Sequence, residues 1–189
     1  MKKILIIASL LAFFSCSYPT QKVNLDLSFD DEKSNAGNGL GIQVVAFDER
    51  LEKEFVGIKK IGDEKVKIVI EQNLPELLQS KIRENLLKKG FKIGKDKLVE
   101  IHVESLSYKA KRQFFISTSN ASGNIKIVVK NYKNNEKFTK NFDLSLKRKH
   151  FIMPLESTDS KTINAILKEI VEDILNDESF IKNLSNQKK

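Results

Sequence analysis

Val23, Leu25, Leu27 and Phe29 alternate with polar neighbours, the period of a half-buried strand. Residues 30–41 turn acidic and then rich in Asn and Gly, and so predict a loop. An apolar run over 42–47 ends at Asp48, Glu49 and Arg50, as expected of a central strand leaving a sheet. Val66, Ile68 and Ile70, between Lys65, Lys67 and Glu71, predict a third strand. The intervening 51–63 carries Gly57 and Gly62 with little periodicity, and part of it suits another strand.

The period then lengthens. Leu74, Leu78, Ile82 and Leu86 recur every four residues, widened by Leu77 and Leu87. Asn73 is placed to cap this helix, Pro75 is tolerated in its first turn, and Lys88, Lys89 and Gly90 close it. A second helix starts between residues 157 and 160, with an apolar stripe of Ile163, Ile166, Leu167, Ile170, Val171, Ile174 and Leu175. Asn176 and Asp177 interrupt it, and Phe180, Ile181 and Leu184 add a last apolar turn.

Between the helices, Val99, Ile101 and Val103 alternate in one phase and Leu106, Tyr108 and Ala110 in the other. A change of phase within one strand requires a bulge or a break near Glu104 and Ser105. Ile125, Ile127 and Val129 lead through Lys133, Asn134 and Asn135 to Phe138, Phe142, Leu144 and Leu146, the pattern of a hairpin. Gln113, Phe114, Phe115 and Ile116 form an apolar tip before a small, polar, flexible stretch at 117–123; the tip suits either a buried strand or a binding lip. The element order predicts one α+β domain over 23–184, a mixed and mainly antiparallel sheet covered by two helices, with a polar tail at 185–189.

The chain start carries an address instead of a fold. Lys2 and Lys3 precede an uncharged apolar run over 4–14, and Ser15 places a small residue before Cys16, the single cysteine. This is the layout of a secretory signal over 1–15, and eleven helical residues rise only about 16 Å, half a bilayer core. The stretch Leu11, Ala12, Phe13, Phe14, Ser15, Cys16 resembles the lipobox of bacterial lipoproteins, with the two Phe departing from its commonest form. That resemblance implies cleavage before Cys16, an acylated cysteine (palmitate among the chains), a tether over 16–22, and a domain held to a membrane by lipid. Ser17, where an Asp would mark inner-membrane retention, implies the outer membrane with the domain facing the periplasm.

Composition removes several kinds of chemistry from consideration. One cysteine excludes an intrachain disulfide and a thiolate metal cluster, and two histidines, His102 and His150, leave a zinc site short of ligands. No cofactor is implied. Gly37, Asn38, Gly39, Leu40 and Gly41 precede a strand where a phosphate loop needs a helix, and read as a turn. Glu100, His102 and Glu104 share a strand face and would suit a hydrolase, but no nucleophile joins them; a solvated face is the plainer reading. His150, after Lys147, Arg148 and Lys149, reads as surface.

The net charge of +8 falls to +6 once Lys2 and Lys3 are removed. Only four of the 33 basic residues are Arg, which disfavours sequence-specific nucleic acid contacts, and a secreted address disfavours them further. Lys109, Lys111, Arg112, Lys147 and Arg148 flank strand ends; if they converge, they form a patch for anionic lipid or glycan beside Phe114 and Phe115. A lysine-rich solubilising surface is the alternative.

Taken together, the strand ending in Asp48, Glu49 and Arg50, the helix beginning Leu74, Pro75, Glu76, the run from Lys89 to Gly94, the strand over 98–106, the late helix from Asn164 to Asp177 and the lipobox-like cysteine resemble the YajG-like family of bacterial lipoproteins. The resemblance implies a small outer-membrane-associated α+β lipoprotein without an established enzymatic activity, and only Cys16 carries a family role. The expected function is therefore a non-enzymatic interaction or accessory protein of the envelope, with a protein partner there. A binding module for an apolar or anionic envelope ligand stands second.

Overall fold

The computed structural model describes residues 20–29, 34–132 and 137–185. Among these the elements run β1 (Thr20–Val23), β2 (Gly41–Asp48), β3 (Gly57–Ile61), β4 (Glu64–Ile70), α1 (Leu74–Lys88), β5 (Lys92–Ile93), β6 (Lys97–Gln113), β7 (Ile116–Asn131), β8 (Lys137–His150), α2 (Glu156–Asn176) and α3 (Glu178–Ser185). The signal segment and Cys16 lie outside the described residues, as does the Asn-rich turn between β7 and β8.

Strand β6 is the spine. Along one edge it pairs antiparallel with β7 over its whole length, and β7 pairs antiparallel with β8. Its other edge is shared end to end by two strands: β2 runs parallel to residues 97–103, and β3 runs parallel to residues 108–111. The β3–β4 hairpin extends the sheet there, β1 adds parallel to β4, and short β5 adds parallel to β2. Four of these seven pairings are parallel, so the sheet is mixed and not mainly antiparallel as the hairpin patterns suggested. Hairpin signals mark only strands joined by a turn, whereas β2 and β3 pair with a strand that comes much later in the chain.

The phase change in β6 is a bulge. Val103 faces Ile125 and Ser105 faces Asn124, which leaves Glu104 as the extra residue. Val99, Ile101 and Val103 before it, and Leu106, Tyr108 and Ala110 after it, therefore all point to the core. A bulge also bends its strand. The bend falls between the β2 and β3 partners and lets one strand serve both. Gly57 makes the β3 contact close: a Cβ there would meet the Tyr108 carbonyl oxygen at 2.2 Å.

The helices cover one face only. Helix α1 is capped by Asn73, whose side chain accepts from the Glu76 N–H, and buries Leu74, Leu78, Ile82 and Leu86; Leu87 stays at the exposed rim. Helix α2 lies over β7 and β8 and buries its whole apolar stripe. Asp177 ends α2 and its carboxylate accepts the Phe180 N–H, so the last apolar turn is a separate third helix, α3, instead of a continuation. The opposite face of the sheet has no helix on it among the described residues, which corrects the expectation of a covered sheet.

Three further expectations change. The stretch 117–123 is not a flexible connection: it is the first half of β7, paired on both sides, with Ser117, Ser119, Ala121 and Gly123 facing inward. Those residues are small because α2 presses on them; a Cβ on Gly123 would stand 2.8 Å from Ile170 Cδ1. At the N-terminal end the strand begins at Thr20, within the predicted tether, and stops at Val23. Leu25 and Leu27 keep the alternation and are buried, but β4 has run out beside them. Side chains take the place of a strand partner: Gln72 Oε1 accepts from the Leu25 N–H at 2.9 Å, and Asn164 Oδ1 accepts from the Asp26 N–H at 2.7 Å.

At the end of β2 the Arg50 guanidinium grips Asp48 with two bonds of 2.8 Å, Nε to Oδ1 and Nη2 to Oδ2. The guanidinium holds the Asp48 carboxyl below its ordinary value of 3.8, against partial desolvation, and the Arg50 N–H adds to the effect. A depressed carboxyl stabilises the fold above its unfolded pKa, and that contribution disappears as pH falls through the folded one. Asp48→Asn should therefore lose stability at neutral pH but converge on the wild type as pH falls through the lowered folded-state value of Asp48, as urea midpoints across a pH series would show. Parallel curves at all pH values would mean that the pair contributes nothing.

Candidate functional surface

Cross-strand register decides where the lysines go. On the uncovered face one row crosses the sheet as Lys65, Lys60, Lys111, Thr118 and Lys149. The neighbouring row runs Lys67, Ile58, Lys109, Asn120 and Lys147. Lys60 has a lysine directly opposite on both sides. Like charges in that position destabilise a sheet, and β3 and β6 are interior strands, where charge is not needed to guard an edge. Lys67 reaches Glu54 at 3.9 Å and stacks over Phe55 at 5.1 Å. Among the described residues Lys60, Lys65, Lys109, Lys111, Lys147 and Lys149 form no ion pair. A groove of about 470 Å³ lies among them, lined by Ile58, Lys60, Lys65, Lys109, Lys111, Thr118 and Asn120.

Of the five basic residues singled out in the sequence, Lys109, Lys111 and Lys147 share this face. Arg112 and Arg148 do not, since they pair with the inward-facing Ser117 and Ser119. Lys60 and Lys65 complete the rows; the sequence predicts the strand that holds Lys65, but not that β3 and β4 lie beside β6.

The same end of the sheet carries the apolar tip. Gln113 pairs with Ile116, which leaves Phe114 and Phe115 as a two-residue turn, 93% and 83% exposed. Phe114 sits at φ +54°, a conformation that disfavours a side chain by roughly 1–2 kcal/mol, and its carbonyl accepts from Arg112 Nε at 3.2 Å. Because β8 ends at His150 opposite Ser117, Phe151 and Ile152 emerge next to that turn, 91% and 67% exposed, and Leu155 before α2 is exposed too. The tip is a lip and not a buried strand.

The Glu100, His102 and Glu104 row lies on the uncovered face at the other end, bound up in ion pairs. His102 Nδ1 is 2.6 Å from Glu49 Oε1, and its ring lies 5.2 Å from that of Phe47. Lys126 holds Glu104 at 2.5 Å and Lys130 holds Glu100 at 2.6 Å. The bond to His102 draws Glu49 below the usual carboxylate range against desolvation, with Lys126 and Lys53 adding to it. No group of three His, Cys, Asp or Glu suited to a metal occurs among the described residues.

A second polar cluster was not visible in the sequence. Asp159, in the first turn of α2, is fully buried; it accepts from the Tyr108 hydroxyl and, at 2.7 Å, from Lys59 Nζ, which also bonds the Pro154 carbonyl. Burial raises the Tyr108 phenol, the Asp159 carboxylate raises it further, and Ser119 and Arg148 oppose more weakly. His150 is not plain surface: its Nε2 lies 2.8 Å from Ser119 Oγ. These groups tie α2 to β3, β6, β7 and β8, with every charge matched, so they hold the scaffold beneath the lysine face.

A family model described as an uncharacterized lipoprotein, Lipoprotein_16, matches residues 28–185, in keeping with the resemblance that the sequence carries. No curated protein matches the chain. Among solved structures it is similar to a Xanthomonas campestris protein of the DUF330 family, at 11% identity and a TM-score of 0.48, covering 84% of this chain and 94% of that one. A candidate lipoprotein of Caulobacter crescentus follows at 10% identity and TM-score 0.42, covering 71% and 93%. A candidate homolog of neuraminyllactose-binding hemagglutinin from Helicobacter pylori stands at 10% and 0.38, covering 85% and 96%. No helix among the described residues is long and apolar enough to cross a membrane.

Proposed function

The chain belongs to the uncharacterized lipoprotein family, and on that footing we propose that it is a lipid-anchored envelope protein whose domain works by contact and not by catalysis. Cys16 is the anchored residue, the outer membrane the site, and the domain faces the periplasm as an accessory or interaction module. The observation that supports this reading is the exposed apolar tip beside two lysine rows. Phe114 and Phe115 stay in water at a strained turn, and lysines stand opposite lysines on interior strands. Both arrangements weaken the isolated domain, which argues for a surface kept for a partner. Each lysine held near an anionic surface contributes about 1 kcal/mol of attraction, fading over ~8 Å at physiological salt. The lysine-lined groove favours the second reading, a binding module for an anionic envelope ligand.

Anchoring is tested at its one indispensable atom, the Cys16 sulfur. Cys16→Ser in cells should abolish incorporation of labelled fatty acid and move the chain from the membrane to the soluble fraction. Label on the variant, or a soluble wild type, would end the lipoprotein reading. Photo-crosslinking from position 115 in the anchored protein should capture an envelope component, and an empty crosslink would count against contact through the tip.

A further inference from the structure

We infer that the end of the sheet bearing Phe114, Phe115, Phe151 and Ile152 faces the membrane that holds the anchor and enters its surface, with the lysine rows leaning on anionic headgroups. The inference rests on the lipid-anchor reading of Cys16. Strand directions supply the argument. Strand β6 runs toward the tip, and β3 is parallel to it. Strand β4 is antiparallel to β3 and therefore runs away from the tip, and β1 is parallel to β4. Thr20 is thus the tipward end of β1, so the chain enters the sheet from the tip side.

Thr20 stands opposite Lys67, at the level of Ile58 and Lys109 in the second lysine row. From Lys109 to Phe114 is five residues, about 17 Å along a strand. From Thr20 back to Cys16 is four residues, which reach at most ~14 Å. Sideways, three strand spacings of about 4.8 Å separate β1 from β6. A lipidated Cys16 therefore cannot stand farther from the sheet than the tip does, and an anchor so short leaves no room for the domain to turn its other end to the bilayer. The surface confined there is the one with exposed aromatic side chains for the headgroup boundary and unpaired lysines for anionic lipid.

The chain contains no Trp, so a single introduced one reports alone. Phe115→Trp marks the tip. Ile93→Trp, 76% exposed and beside the start of β2, marks the opposite end of the sheet. Both full-length lipidated variants would be reconstituted into phosphatidylcholine vesicles with or without phosphatidylglycerol, using lipids brominated in the acyl chain as quenchers. In anionic vesicles the tip reporter should shift to the blue and be quenched at least threefold, while the distal reporter keeps its emission. Replacing Lys60, Lys109, Lys111 and Lys147 together by Gln, with folding checked by circular dichroism, should reduce tip quenching to the level seen without phosphatidylglycerol.

Equal quenching of both reporters, or none at position 115 in protein that floats with vesicles and carries labelled fatty acid, would overturn the orientation and leave the anchor intact. A missing fatty-acid label would instead defeat the anchor reading itself, and with it the ground of this inference. A blue shift without quenching that grows with protein concentration would show a second copy on the tip, and overturn the membrane as its occupant.

Discussion

Asp159→Ala should destabilise the domain by about 3–5 kcal/mol, the cost of leaving a buried lysine without its counter-ion. Lys59 and Asp159 are 6% and 0% exposed at their side chains, so water does not reach in to replace the lost partner. The Pro154 carbonyl would remain for Lys59, but the Tyr108 hydroxyl would lose its acceptor as well. Asp159→Asn should cost less, because an amide oxygen still accepts from Tyr108. The double change Lys59→Met, Asp159→Leu should recover most of the loss, since an apolar pair of similar volume often matches a buried ion pair. Urea unfolding of the unlipidated chain measures all three. An unmoved midpoint for Asp159→Ala would show that the pair is hydrated, and a double variant no better than the single one would make the charges themselves necessary for the fold.

Ile170→Ala carries the next largest expectation, about 2–5 kcal/mol, as for other large apolar side chains removed from a full core. Ile170 is 1% exposed, and its Cδ1 presses on the strand at Gly123. The two positions should therefore be coupled. Gly123→Ala alone should cost at most about 1–3 kcal/mol, because the atom it meets is the free end of a side chain that can rotate away. Combined with Ile170→Ala, the new methyl group occupies part of the vacated space, and the double variant should be more stable than the sum of the singles predicts, by at least about 0.5 kcal/mol. Strict additivity in a thermal or chemical double-mutant cycle would place Ile170 elsewhere than over Gly123.

That contact also explains which parts of the fold were legible. The stripes of α1 and α2 are dense, regularly spaced and apolar, so periodicity alone locates them. The bulge was legible for the same reason, since a change of phase across Val103 and Leu106 has no other solution in one strand. Ser117 to Gly123 was illegible because those residues are small to admit a helix 40 or more positions later in the chain, and small polar residues look like a loop when read locally. Lys59 was illegible because its partner is 100 residues away. Parallel pairing left no local mark either, since nothing at 41–48 or 57–61 indicates that both share the edge of a strand still to come. Of the surface, the five basic residues were grouped by their place at strand ends; the pleat sets Lys109, Lys111 and Lys147 on one face and turns Arg112 and Arg148 to the other.

The lone extra residue in β6 has a consequence best put as parity. Before Glu104, odd-numbered residues of β6 face the helices; after it, even-numbered ones do, while β7 keeps odd numbers inward throughout. Deleting the single codon for Glu104 would leave Val103, Ser105 and Leu106 in unbroken alternation opposite Ile125, Asn124 and Gly123, and no side chain would change sides. Tyr108 and Ala110 would stay in the core and Lys109 and Lys111 outside it; what the strand would lose is its bend between the β2 and β3 partners. One residue of length, with no regard to its chemistry, bends one strand so that two others can share its edge.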